Sequence, residues 1–455
     1  MADPQLVWLR QDLRLADQPA FAAAAERGPV LALYVLDDET PGKWAIGGAQ
    51  RWWLHHALES LRRELEARGG VLVLRRGRSA EVVRQVAAET GAAAVHATRH
   101  YEPWWRQAEA ELGDALTLHE GDVLHEPSAI RSGSGGAFKI YGPYFRALSR
   151  HLPPPEPKPA PERIEAPAKL PASDRLDDWQ LLPTQPNWAT GFTIWEPGEE
   201  GALKHLRRFS TEAASYAERR DLPAEVGTSN LSPHLHHGEI SPRQVWHGLG
   251  EDEAHGKFRR ELAWRDFSRA VILAEPDLGT REQRPLALPH RTGPEAEADF
   301  RAWSKGFTGY PLVDAGMRQL WITGWMHNRA RLVTSSFLVK HLLIDWRRGA
   351  DWFWDTLIDA DYANNSQNWQ WIAGTGFDSQ PFYRIMAPLA QSEKFGAAEY
   401  IRRWVPELAH LSDEQIHDPW GHGVALKDYP EPLIAHRSAR ERALRAFKEA
   451  RAANS

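Results

Sequence analysis

Short apolar runs alternate with amphipathic segments along the first quarter of the chain. The apolar runs are continuous and rich in Val, Leu and Ala, and they occupy residues 6–9, 30–36, 71–74 and 92–97. Between them, stretches such as 51–68 and 80–90 repeat their apolar positions at helical spacing. Continuous apolar strands that alternate with helices are typical of a parallel sheet covered on both faces. We therefore predict an α/β domain with about five strands over residues 1–127.

Proline changes the pattern in the next part of the chain. Prolines recur throughout residues 151–198 and disfavour both helices and central strands. We therefore predict a long linker over residues 128–198 that wraps around a neighbouring domain. From residue 199 onward the apolar positions recur at helical spacing almost throughout, and 332–344 has the composition of a helix buried on most sides. The third predicted unit, residues 199–455, is an all-helical domain.

Composition and charge exclude several classes of protein. The chain has no cysteine, which excludes disulfides, thiolate nucleophiles, iron–sulfur clusters and Cys-ligated zinc. No apolar run reaches the length of a membrane span, and the first ten residues do not resemble a signal peptide, so we predict a cytoplasmic protein without membrane contact.

The formal net charge is −6, with 55 basic and 61 acidic residues, so any contact with nucleic acid must depend on a local patch. No G-x-G-x-x-G dinucleotide motif follows the predicted strands.

Hydroxyl and amide side chains cluster at the start of a predicted helix. The run Gly227–His234 contains Thr228, Ser229, Asn230 and Ser232, and Ser232 before a proline is a favourable N-cap. A helix N-terminus of this kind suits a phosphate, because free N–H groups and the helix dipole both attract anions. A simple capped helix without a ligand explains the same pattern.

A second polar cluster lies beside tryptophan. Residues 357–371 contain Asp359, Asp361, three asparagines, Trp369 and Trp371. A solvated loop does not need the two tryptophans, and a core segment would tolerate this many polar groups only if all were hydrogen-bonded. The combination suits a flat heteroaromatic ligand. A metal site is the weaker alternative, since no histidine accompanies the carboxylates.

Two helical stretches carry further candidates. Asn328, Arg331 and Ser335 recur at helical spacing and share one face, while Glu261 and Trp264 are neighbours on another helix. A carboxylate beside an indole could bind and stack a nucleobase. A solvated arginine face and an ordinary surface pair are the alternative interpretations.

Together these motifs resemble the photolyase/cryptochrome family, and within it the class I cyclobutane pyrimidine dimer photolyases. The resemblance extends from residues 7–14 (VWLRQDLR) to residues 402–408, and its most specific parts are 308–315, 324–331 and 359–371. It implies a light-dependent DNA repair enzyme, a carbon–carbon lyase, with a parallel-sheet domain and a helical FAD-binding domain. The alternative within the family is a cryptochrome-type blue-light receptor with the same fold and flavin.

The resemblance implies which residues bind FAD, in a U shape, inside the helical domain. They are Tyr216, Thr228, Ser229, Asn230, Leu231, Ser232, Arg265, Asn328, Arg331, Asp359, Asp361 and Asn365. Asn365 matches the residue that faces the reactive nitrogen N5 of the flavin, where photolyases typically carry Asn and plant cryptochromes carry Asp. This position favours the repair enzyme.

The resemblance also implies the lesion and its contacts. Relatives that act on (6-4) photoproducts carry histidines where this chain has Asn328 and Leu332, and neither of these residues is a general acid. A cyclobutane dimer needs only an electron, so we expect that substrate, flipped out of UV-damaged DNA. Leu332 stands where most class I relatives have Met. The residues expected to contact the lesion or DNA are Glu261, Trp264, Asn328, Arg329, Leu332, Trp371, Arg384, Gln391 and Lys394.

Tryptophan is unusually abundant, with 21 residues, and the family uses three of them to reduce oxidised flavin. Trp369 and Trp346 match the two inner members of that chain. The outer position aligns with Gly293, in a stretch without aromatic residues, and Trp303 is the substitute that we consider.

Many relatives bind a second, light-harvesting chromophore in the first domain. The family's folate-binding pattern has Asn-Glu where this chain has Trp104-Trp105, so we expect no folate at the usual site and leave the identity of a second chromophore open. We further expect a monomer with no metal and no obligate protein partner.

Overall fold

The first domain is built on one parallel sheet. The computed structural model describes residues 2–250 and 253–453. The sheet has the order β3-β2-β1-β4-β5, with every neighbouring pair parallel. Its strands are β1 (Gln5–Leu9), β2 (Val30–Leu36), β3 (Leu72–Arg76), β4 (Ala94–Thr98) and β5 (Leu116–His119). The predicted five-stranded α/β domain is therefore confirmed.

Helices cover both faces of this sheet. Alternate residues of β1 point to opposite sides, so Val7 and Leu9 pack into one core cluster while Leu6 and Trp8 pack into another. The helices of this part are α1 (Pro19–Ala25), α2 (Gly48–Ala67), α3 (Ser79–Thr90) and α4 (Pro103–Leu112). A strand buried on both faces needs an apolar side chain at every position, which explains the continuous apolar runs.

The linker wraps around the sheet domain as predicted. Residues 151–198 contain only short 3-10 turns, and Ile164, Trp179 and Phe192 from this segment are buried in the core cluster on one face of the sheet. The segment before the prolines also contains a helix, α5 (Tyr141–Leu148), which was not predicted. The domain boundaries at residues 127 and 198 stay predictions.

The regular elements described from residue 199 onward are all helical. They are α6 (Glu199–Glu212), α7 (Tyr216–Arg219), α8 (Ser232–His236), α9 (Pro242–Gly248), α10 (Gly256–Ala274), α11 (Pro294–Lys305), α12 (Pro311–Thr323), α13 (Asn328–Ser336), α14 (Trp346–Thr356), α15 (Tyr362–Ala373), α16 (Pro388–Lys394), α17 (Ala398–Trp404), α18 (Asp413–His417) and α19 (His436–Ala453). The predicted buried helix over 332–344 is α13 followed by a π-helix, Phe337–His341. Among the helices described, none combines the length and the apolar character needed to cross a membrane.

Two helix starts position the polar residues of the site. Asp361 caps α15 by accepting a hydrogen bond of 2.7 Å from the Asn364 N–H, and His327 caps α13 by accepting one of 3.1 Å from the Arg329 N–H. Because α13 and α15 pack against each other, their capped ends bring Asn328 and Asp361 to one cavity.

Candidate functional site

A cavity of about 710 Å³ opens between α8, α10, α13 and α15, and a smaller one of about 110 Å³ adjoins it. Seven residues line both spaces, so we describe the two as an upper and a lower cavity of one site. The predicted site residues that line it are Ser229, Ser232, Glu261, Trp264, Arg265, Asn328, Arg331, Leu332, Asp359, Asp361, Asn365, Trp369 and Trp371. The structure thus brings four separate sequence motifs together.

Arginines engage both carboxylates of the site. Arg331 donates to the two oxygens of Asp359 at 3.1 and 2.8 Å, and Arg269 donates to the two oxygens of Asp361 at 3.1 and 2.8 Å. The Arg269–Asp361 pair is bidentate, with two guanidinium nitrogens, and such a pair fixes the orientation of a carboxylate. Arg331 contacts both oxygens of Asp359 with its Nη2 alone. The carboxylates that the sequence left open as a metal site are therefore held in arginine pairs.

A buried ionic network connects this site to the sheet domain. Arg269 is fully buried and also donates 3.1 Å to Asp122, which forms a second ion pair with Arg265. Burial raises the pKa of the Asp361 carboxyl, but the Arg269 guanidinium and the neighbouring His236 together outweigh burial and hold that pKa well below its usual range. Asp361 therefore remains a carboxylate at neutral pH. Neither Arg269 nor Asp122 was predicted, because their partners are distant in sequence.

The predicted phosphate segment forms a tight turn. The Leu231 N–H donates to Ser229 Oγ at 3.2 Å, Thr228 donates to the Asn230 side chain at 3.0 Å, and Asn230 adopts a left-handed conformation with φ of 56°. The predicted N-cap role of Ser232 is wrong, since Leu231 is the cap of α8 and Ser232 is its first residue. Ser229 and Ser232 line the upper cavity, whereas Leu231 is completely buried.

The mouth of the upper cavity combines a carboxylate with two indoles. Glu261, Trp264 and Trp371 all line it, and the Glu261 carboxylate pairs with Arg220 and lies 3.7 Å from Lys257 Nζ. Sequence reasoning missed Arg220, which approaches Glu261 from the C-cap position of α7.

Among the other lining residues that were not predicted as site residues, two carry a detectable signal in the sequence. Asn364 and Asn368 share one face of α15 with Trp371, at spacings of four and three residues. Tyr141 also lines the cavity and packs on Trp264 with ring centroids 4.7 Å apart. It was missed because it lies in a segment interpreted as linker.

The predicted cationic contacts lie outside the cavity lining. Arg329 is paired with Asp221 at 2.8 Å, and its guanidinium lies 4.0 Å from the centroid of the Phe395 ring. Arg384 and Lys394 are exposed. Their contacts with DNA stay predictions.

Three more predicted residues do not line the cavity. Gln391 is half-buried on α16. Tyr216 is buried, with edge-to-face contacts to Phe209 and Phe258. Trp346 is also buried and donates 3.2 Å to a carboxylate oxygen of Glu282.

Trp303 is fully buried, so it is not by itself an exit to the surface, and this part of the prediction is wrong. Its ring lies edge-to-face with Trp369 at 6.4 Å between centroids. Gly293, the aligned outer position, is the N-cap of α11 and adopts a φ of 89°. Gly293 therefore has a structural role at a helix start.

Aromatic rings continue from Trp303 to the surface. Phe300 lies 5.6 Å from Trp303 and 6.4 Å from Trp352, and Trp352 stacks on Trp321 at 6.1 Å. Trp321 is 49% exposed. We call Trp369, Trp303, Phe300, Trp352 and Trp321 the aromatic row, which runs from the lower cavity to solvent.

Trp104 packs against rings of the helical domain, whereas Trp105 packs against a ring of the sheet domain. Trp104 packs on Tyr362 at 5.2 Å and on Trp354 at 6.5 Å, while Trp105 packs on Trp8 at 6.1 Å. Because Tyr362 begins α15, Trp104 supports the helix that carries the site.

Two family models cover most of the chain. Residues 5–162 match the model described as DNA photolyase, and residues 258–449 match the FAD binding domain of DNA photolyase. The chain belongs to the DNA photolyase family. The predictions of an enzyme and of a helical FAD-binding domain are confirmed.

Relatives support the same assignment over the full length. A deoxyribodipyrimidine photo-lyase of Agrobacterium fabrum is 46% identical over 98% of this chain and 97% of its own length. Cryptochrome-1 of Arabidopsis thaliana is 35% identical over 96% of this chain and 69% of its own. A crystal structure described as a class III photolyase from Agrobacterium tumefaciens superposes with a TM-score of 0.94 at 44% identity, covering 99% of this chain and 98% of that one. The expected similarity to class I enzymes stays a prediction.

Proposed function

We propose that this protein repairs cyclobutane pyrimidine dimers in UV-damaged DNA, by light-dependent electron transfer with FAD as its cofactor. One observation carries the proposal. Glu261, Trp264 and Trp371 line the upper cavity together with Asp361, and Asp361 also lines the adjoining lower cavity, where Asn365 lies. A polar and aromatic mouth above a polar floor is the arrangement that a lesion over a flavin requires.

The residues present fit FAD. The cavity volume lies within the range of about 300–1,000 Å³ that small-molecule sites occupy. Ser229 and Ser232 offer hydroxyls to phosphate, and Asp361 is an oriented carboxylate acceptor. The Asn365 amide donates 3.1 Å to the Ala350 carbonyl, so its own carbonyl oxygen can accept a hydrogen bond from a ligand N–H. Bound reduced FAD would, when excited by light, lend one electron to the dimer and take it back after the ring has opened, so that repair involves no net redox change.

The lining favours a substrate that needs no protonation. Asn328 and Leu332 border the cavity and neither can donate a proton as a general acid. The neighbouring His327 uses its Nδ1 to cap α13, and burial lowers its pKa to about 4. These residues therefore suit cyclobutane dimers better than (6-4) photoproducts.

Stacking would hold the lesion at the mouth. Trp264 and Trp371 are both half-buried and line the cavity, and base–aromatic stacking contributes roughly 1–3 kcal/mol per base. Glu261 would accept a hydrogen bond from a pyrimidine edge after release from Arg220. Arg329, Arg384, Gln391 and Lys394 would contact the backbone of the flanking DNA.

The aromatic row would carry electrons from the surface to the wall of the lower cavity. Its members are in continuous ring contact, and Trp321 meets solvent, where a thiol reductant can restore it. Trp346 has its indole N–H on Glu282 and pairs with no aromatic ring in the described residues. The row thus compensates for the glycine at the usual outer position.

A second chromophore remains part of the proposal, with its identity open. The Trp104 ring is committed to Tyr362 and the Trp105 ring to Trp8, which supports our expectation that folate does not bind at the usual site. We also propose that the protein acts in the cytoplasm as a monomer.

The test uses the reduced holoprotein and an oligonucleotide with one defined cyclobutane dimer, in the dark and under blue light. We expect light-dependent loss of the dimer, measured by chromatography of the strand. A Trp371→Ala variant should lose most of its affinity for the lesion, whereas Trp188→Ala, which does not line the site, should retain it. Photoreduction of bound FAD without any dimer loss would refute repair and favour the blue-light receptor.

A further inference from the structure

Lys340 is fully buried, which is rare for a lysine. It lies in the π-helix Phe337–His341, and in the part of the chain that the structure describes it forms no ion pair. Its ammonium donates 2.7 Å to the Arg384 carbonyl and lies 5.6 Å from the centroid of the Phe382 ring. A π-helix often marks a functional position, because it re-aims side chains relative to an α-helix.

Burying this ammonium is costly. Burial alone lowers the pKa of Lys340 to about 7, since no carboxylate offsets the loss of hydration. A methionine would fill the same space without that penalty. Fold stability therefore does not explain why a lysine occupies position 340. The interaction that a methionine could not make is the hydrogen bond from the ammonium to the Arg384 carbonyl.

That hydrogen bond fixes one loop. Residues 374–387 join α15 to α16, and we call them the 374–387 loop. At its start, Asp378 accepts a hydrogen bond of 2.7 Å from the Tyr141 N–H, and further along Phe382 stacks on Phe447 of α19 at 5.4 Å. The next residues, Tyr383 and Arg384, are exposed. Lys340 thus holds the backbone of the 374–387 loop at Arg384, the residue whose guanidinium is exposed.

Other charged groups near the π-helix have their own partners. His341 pairs with His436 of α19 at 2.8 Å, and Arg442 donates to the His341 carbonyl. Neither interaction involves the Lys340 ammonium. The Lys340–Arg384 hydrogen bond is therefore separate from these two contacts, and Phe382 is the residue that links Lys340 to α19.

We propose that Lys340 is a positioning residue for DNA binding, which holds the 374–387 loop so that the Arg384 guanidinium meets a backbone phosphate beside the lesion. The inference rests on the proposed function for the identity of the DNA. It assigns a role to a buried residue that would not itself touch DNA.

The test is a double-mutant cycle between Lys340→Met and Arg384→Ala, measured as affinity for dimer-containing DNA in the dark by fluorescence anisotropy. We expect each single variant to bind about fivefold more weakly, as for one lost phosphate contact. The double variant should bind no more weakly than either single variant. Lys448→Met, an exposed lysine on α19, is the control with the same charge change and should bind like the parent protein.

Three further readouts separate positioning from general support. At saturating DNA, the repair rate and the FAD content of Lys340→Met should equal those of the parent, and its unfolding midpoint at pH 7 should not fall. Lys340→Gln keeps a donor and should recover part of the affinity. If the methionine variant does not fold, Lys340→Leu, which also lacks a donor, replaces it in the cycle.

Parent-like affinity of Lys340→Met, or additive losses in the double variant, would overturn the inference. If the parent protein binds dimer DNA but fails to repair it, the proposed function fails while the binding cycle still decides the role of Lys340.

Discussion

Gly349 offers a way to move Trp369 without replacing it. A Cβ atom at Gly349, on α14, would lie 2.1 Å from Trp369 Cη2 and 2.6 Å from Leu338 Cδ2. Carbon atoms in ordinary contact are about 3.5 Å apart, so in Gly349→Ala the indole must move by about 1.4 Å. Trp369 lines the lower cavity and also contacts the Trp303 ring, so the displacement changes both the cavity wall and that ring contact.

The effect on stability should be modest. Overpacking of a core costs about 1–3 kcal/mol, and replacing a helical Gly by Ala returns about 1 kcal/mol. The expected net loss is therefore about 0–2 kcal/mol, small enough for the protein to fold. Photoreduction of bound oxidised FAD should nevertheless slow clearly, because the first indole of the aromatic row no longer sits at its position.

The measurement is the rate of flavin bleaching at 450 nm under blue light with excess thiol, together with urea unfolding. Gly142→Ala is the matched control, since Gly142 lies in helix α5 and no heavy atom lies within 4 Å of its added Cβ. It should gain up to about 1 kcal/mol and photoreduce normally. A Gly349→Ala variant with unchanged photoreduction and unchanged stability would show that the packing around Trp369 is not tight.

Three further predictions concern other parts of the site. Replacing the exposed end of the aromatic row, in Trp321→Phe, should slow photoreduction while leaving repair by chemically reduced enzyme intact, and equal rates would exclude the row. Burial raises the pKa of Asp266 to about 7. The free energy of unfolding therefore falls as the pH rises from about 4 to about 7, because the unfolded chain loses this proton first. Asp266→Asn should therefore be more stable than the parent at pH 8 by at most about 4 kcal/mol, and equally stable at pH 4, in urea titrations. Arg269→Met leaves the buried Asp361 carboxylate without its arginine, while Asp122 keeps its ion pair with Arg265. It should cost about 3–5 kcal/mol and most of the FAD affinity, as measured by fluorescence titration.

Sequence reasoning located most of the fold because burial leaves a strong local pattern. The strand Val30–Leu36 is apolar at every position, so its bounds were predicted to the residue. The lining of the cavity also followed from motifs such as residues 359–371. Ion pairs between distant segments left no such pattern, which is why Arg220 and Arg269 were missed. The role of Trp303 could not be judged either, since ring contacts between α11, α14 and α15 depend on helix packing.

Two ion pairs near the cavity have a consequence for how the protein searches DNA. Arg329 is held by Asp221 and Arg220 by Glu261, so both arginines are already neutralised before any phosphate arrives. DNA binding that only exchanges one anion for another releases fewer counterions than free cations would, and its salt dependence is correspondingly shallow. Intact duplexes should thus be held weakly and released quickly. A pyrimidine pair that leaves the DNA duplex and stacks on Trp264 and Trp371 adds the binding energy that intact DNA lacks. The two protein ion pairs thereby contribute to the selectivity for damaged DNA.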